Sequence, residues 1–147
     1  TEQDIHKFIA DFKIAFKKLP PEDISFPRGL NGLREYSDPV MMYKKGTPIH
    51  VRGALLFNRF LVDNKLDKKY NSISEGEKIK FCYMKLPNPL REDVFAVMDE
   101  LPKEFKLDQF IDYERQFDTV FLKPVNSICE VINWKTEDYV TLDSFFG

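Results

Sequence analysis

The sequence predicts an α+β fold, amphipathic helices packed with a small antiparallel sheet, on three observations. Apolar residues recur at helical spacing near both ends and again from about residue 50, a central segment alternates with period two, and Pro and Gly separate these blocks. The 147 residues, 43% hydrophobic and 31% charged, suit one globular domain whose core needs no disulfide or metal staple. The longest purely apolar runs, Gly53 to Phe57 and Val94 to Met98, are five residues each. A membrane-spanning helix needs about 18, so no membrane partner is expected.

The first element is a helix over 3–19. Ile5, Phe8, Ile9, Phe12, Ala15, Phe16 and Leu19 share one face, and Pro20 and Pro21 stop it. From 22 to 48 the chain is punctuated by Pro27, Gly29, Gly32, Pro39, Gly46 and Pro48. It reads as an irregular loop with one helical turn near 30–36. A second helix follows over 50–62, with Val51, Ala54, Leu55, Leu61 and Val62 on its apolar face and Asn58 the one polar residue in that stripe. After a polar connector over 64–72, Ile79, Phe81 and Tyr83 alternate with Lys78, Lys80 and Cys82 as a half-buried strand. Pro87 and Pro89 break it, and 94–98 is a second strand able to pair with the first, with a third strand left open. Leu107, Phe110, Ile111, Phe117, Val120 and Phe121 then mark a helix over 107–121, which Pro124 kinks or ends. The helical pattern resumes to about 133. The domain therefore spans 1–134, and a flexible tail occupies 135–147.

Cys82 and Cys129 lie among apolar neighbours and read as buried reduced thiols. The only histidines are His6 and His50, and nothing is at metal-ligand spacing. Phosphate-loop, dinucleotide and nucleophile-elbow motifs are absent. No catalytic residue, metal site or cofactor is assigned to the chain. Asp112, Glu114 and Asp118 read as solvated carboxylates on an exposed helix face.

The net charge of −2 conceals a division. Residues 1–71 carry 13 Lys and Arg against 9 Asp and Glu, while 72–147 carry 9 against 15. Screening confines distant charge to about 10 Å, so a local basic surface can hold a polyanion on an acidic domain.

Three segments resemble the C-terminal thumb region of family B DNA polymerases of the T-even-type bacteriophages. They are Gly46-Thr47-Pro48-Ile49-His50-Val51-Arg52-Gly53 leading into a helix, Glu75-Gly76-Glu77-Lys78-Ile79 turning into a strand, and Phe121-Leu122-Lys123-Pro124-Val125. The palm motifs with their paired Asp residues are absent, so the resemblance implies a polymerase piece without the chemistry. It would be an excised domain or the C-terminal subunit of a polymerase encoded in two parts, and Mg²⁺ would belong to the parent polymerase.

A thumb-like fold implies gripping primer-template duplex through phosphates and backbone N–H groups without reading sequence. The residues expected to do so are Arg28, Gly29, Asn31, Arg34, Lys44, Lys45, His50 and Arg52. Two of these carry structural alternatives, His50 as a helix cap and Arg52 as a surface ion pair. Leu142, Phe145 and Phe146 resemble the clamp-binding peptide of replication proteins, with Tyr139 where Gln is usual. The partners implied are duplex DNA, the remainder of the polymerase and a sliding clamp, in the cytoplasm of an infected bacterial cell. The alternative is a free-standing clamp-binding adaptor whose basic loop is merely solvated.

Overall fold

Helices and an antiparallel sheet are both present in a computed structural model that describes residues 1–36 and 46–136. Lys44, Lys45, Leu142, Phe145 and Phe146 lie outside the described residues. The described residues gather into two compact units, one within Pro20–Asp112 and the other joining Thr1–Leu19 to those from Tyr113 to Thr136. No helix among the described residues is long and apolar enough to cross a membrane.

In the unit over Pro20–Asp112, the short helix α1 (Pro21–Ile24) leads into strand β1 (Phe26–Gly29). Helix α2 (Ile49–Asp63) follows, then strands β2 (Lys78–Tyr83) and β3 (Val94–Val97). The sheet has the order β1-β2-β3 and both pairings are antiparallel. Phe81 stands opposite both Phe26 and Ala96. β1 is the third strand that was left open, and it lies in the segment 22–48 read as an irregular loop with one helical turn. Its sequence, Phe-Pro-Arg-Gly, holds two strand breakers, which an edge strand tolerates because an outward-facing backbone site needs no partner.

Helix α2 lies against β3 at unusually close range. A Cβ on Gly53 would stand 3.2 Å from the Cβ and backbone N of Ala96, and 3.3 Å from the Phe95 carbonyl carbon. Val51, Ala54, Leu56, Phe57 and Leu61 are buried around this contact, whereas Leu55 is only half-buried and Val62 is 63% exposed. The expected apolar face thus holds at Val51, Ala54 and Leu61 and departs at Leu55 and Val62. Its true centre is a glycine, which contributes no hydrophobicity to the pattern. Burial of each large side chain is worth about 1.5–3 kcal/mol, so packing rather than helix propensity holds α2. Asn58, the polar residue of the stripe, accepts from the Ile73 N–H at 2.7 Å and donates to the Ile73 carbonyl at 3.0 Å.

The helix expected from 107 begins only at Tyr113. Lys103–Phe105 and Asp108–Phe110 are single 3₁₀ turns, and Lys106 between them has φ of 57°. Ile111 is extended and bridges Met84, so Leu107 and Ile111 complete the sheet's core instead of a helix face.

The other unit packs helix α3 (Glu2–Phe16) along a helical run from Tyr113 to Val131. Thr1 and Asp4 form a reciprocal capping box at the start of α3. The run comprises α4 (Tyr113–Phe117), a π-helical turn (Asp118–Leu122) and α5 (Lys123–Val131). Pro124 does not end it. Proline lacks an N–H and its ring collides with the carbonyl four residues back, a conflict the wider turn relieves, with the Lys123 N–H reaching back to the Asp118 carbonyl. The aromatic rings of α3 meet those of the run, Phe12 with Phe121 at 4.6 Å and Phe16 with Phe117 at 5.3 Å between centroids.

Candidate nucleic-acid interface

The edge of the sheet gathers several of the expected contacts because β1 is antiparallel to β2. Arg28 stands opposite Ile79, Gly29 opposite Lys78 and Pro27 opposite Lys80. Partners directly opposite share a face, so Arg28 projects on one side of the edge while Lys78 and Lys80 project on the other. Lys78 and Lys80 were not among the expected contacts. Their signal was present in the sequence as the polar members of a period-two strand, but it needed the register against β1 to acquire meaning. Gly29 is exposed with open space where a side chain would be.

Beyond β1, the loop over 30–36 carries the exposed Asn31 and Arg34. The Leu30 N–H donates to the Glu77 carbonyl at 2.9 Å, and the Gly32 and Leu33 N–H groups donate to the Glu75 carboxylate. The Gly32 and Leu33 backbone donors are thus engaged by Glu75, and that of Leu30 by the Glu77 backbone. Those hydrogen bonds, Gly32's foremost, hold the Glu75 carboxyl below its usual range, and the Arg34 charge adds to the effect.

His50 is the second residue of α2. Pro48 occupies the capping position and no side chain caps the helix, so His50 does not serve as its cap. Its imidazole lies 6.5 Å from the Phe81 ring. Burial, reinforced by the nearby Arg28 charge, lowers its pKa below the ordinary 6.5. Arg28 and His50, 22 positions apart in sequence, are therefore brought together, and the uncapped N-terminus of α2 adds partial positive charge beside them.

Arg52 faces a different environment. Its Nη2 lies 2.9 Å from Asp93 and its Nη1 3.3 Å from Glu92, with a quarter of the side chain exposed. The guanidinium buckles α2 to the residues that lead into β3.

No protein-family model matches the chain. The DNA-directed DNA polymerase of Enterobacteria phage T4 is 26% identical to it over 150 residues, covering 99% of the chain and 16% of that polymerase. The chain is a distant homologue of part of that enzyme. It spans about a sixth of the polymerase's length. No three His, Cys, Asp or Glu side chains gather among the described residues, Glu114 pairs with Lys13 and Lys17, and Asp118 with Lys123. What the sheet edge offers chemically is cationic side chains and an open backbone approach at Gly29.

Proposed function

We propose that the chain is the thumb part of a family B DNA polymerase, gripping primer-template duplex by its phosphates and tethering the enzyme to a sliding clamp through Leu142, Phe145 and Phe146. The observation that carries this reading is the basic strand edge around Arg28, Arg34, His50, Lys78 and Lys80, found in a chain related along its whole length to a polymerase. Phosphate contacts of this kind position a duplex and carry no sequence information. Bond formation would belong to the remainder of the polymerase, whose Asp residues would hold Mg²⁺.

Titration of the chain with primer-template duplexes of unrelated sequence tests the grip. About four to six phosphate contacts predict a log–log salt slope of about −4 to −5. Reversing Arg28 and Arg34 together with Lys44 and Lys45 lowers affinity equally for every duplex, and unchanged binding would sink the proposal. Arg52 is left out of this set because reversing it places three negative charges together at the start of β3. For the tail, replacing Phe145 and Phe146 by Ala weakens clamp binding by about 10²-fold to 10⁴-fold, as removal of two buried rings requires.

A further inference from the structure

The Glu75 carboxylate joins segments 42 and 43 residues apart, its Oε1 accepting the Gly32 N–H at 2.8 Å and its Oε2 the Leu33 N–H at 2.7 Å. Next to it, the Gly76 N–H donates to the Leu30 carbonyl at 2.8 Å, so the turn before β2 and the loop after β1 form one hydrogen-bonded piece. Gly32 takes φ of 99°, a conformation costly for other residues, and this lets consecutive N–H groups converge on one anion. Within the loop, the Tyr36 N–H donates to the Gly32 carbonyl at 3.2 Å.

On the reading that this edge grips duplex, we infer that Glu75 is the positioning residue of the interface, fixing the loop over 30–36 so that Asn31 and Arg34 meet phosphate beside Arg28. Its charge makes the inference sharp. A carboxylate within a basic patch repels phosphate, so its loss, taken as charge alone, tightens binding. Loss of a positioning group weakens it.

The test compares Glu75→Gln and Glu75→Asp with the parent 147-residue chain in duplex titrations over a range of salt. Gln turns an NH₂ toward one of the two backbone donors, and Asp keeps the charge but falls a methylene short. Both variants bind about fivefold more weakly at about 0.15 M salt, with a salt slope shallower by about one, the signature of one lost phosphate contact. Their melting temperatures stay near the parent's, which separates positioning from general loss of fold. Tighter or equal binding by Glu75→Gln overturns the inference, and if that variant does not fold, unchanged binding by Glu75→Asp does so. Arg28→Glu serves as the control. If it binds like the parent, the duplex reading fails and this inference with it; if it alone weakens binding, only the role of Glu75 is lost.

Discussion

His50 and Arg52 stand two residues apart at the start of one helix, yet their surroundings give them opposite chemistry. Arg52 faces Glu92 and Asp93, whose charges together exceed its own, so its contribution at this edge is geometric. His50 is partly withdrawn from water and has the Arg28 cation nearby, both of which favour the neutral imidazole. Because its native pKa is below the unfolded value near 6.5, the unfolded chain takes up the proton first as pH falls. The stability His50 contributes is therefore complete above about pH 6.5 and is lost as pH drops through the native value. Urea unfolding at pH 7.5 and 5.5 checks this, with His50→Gln losing less stability between the two than the parent chain. Equal losses would show that His50 does not titrate differently on folding. The ion pair weighed for Arg52 in the sequence is present, but its partners Glu92 and Asp93, like Arg28 beside His50, were not legible there because they arrive only through the fold.

Among the elements, α2 shows how local pattern and tertiary contact divide the work. Its span is written in its hydrophobic spacing, and expectation and structure agree there to within a residue at each end. Its buried face is not, because the closest approach to β3 is at Gly53. Gly53→Ala would ordinarily gain about 1 kcal/mol of helix propensity. Here the added Cβ meets Ala96 and the Phe95 carbonyl carbon at 3.2–3.3 Å, mostly backbone that cannot rotate away. The overpacking cost, about 1–3 kcal/mol, outweighs the gain, and a lowered melting temperature is expected. A rise would mean that α2 shifts off the sheet without penalty. β1, the third strand left open, could not be placed for a related reason, since Pro27 and Gly29 are breakers by composition and acceptable only once the strand lies at an edge. The helix expected from 107 failed where Ile111 found a strand partner in Met84.

At the scale of the whole molecule, the two units differ in how much apolar surface they bury. The unit over Pro20–Asp112 encloses Val51, Leu56, Leu61, Ile79, Val94 and Phe95 almost completely. In the other, Ile9, Phe16, Phe117 and Cys129 are buried, while Phe8 is 57%, Ile128 67% and Val131 85% exposed. Opening free energy follows buried contact, so amides of α3 should exchange with solvent faster than those of β2 and β3. Hydrogen-exchange mass spectrometry measures this directly. Equal protection throughout would show that the units open together as one cooperative body.

The sequence by itself determined the α+β class, the positions of the main helices and central strands, and the concentration of cations before residue 70, because periodicity and composition are local properties. It also shows that the palm motifs are not written in these 147 residues. Tertiary structure alone decided which charges act together. Register placed Arg28 opposite Ile79 and Lys78 opposite Gly29, α2 carried His50 toward Arg28 and Arg52 toward Glu92 and Asp93, and a turn 42 residues away brought Glu75 to Leu33. Such pairings depend on where strands end and how closely a helix can approach a sheet, quantities that no window of neighbouring residues contains.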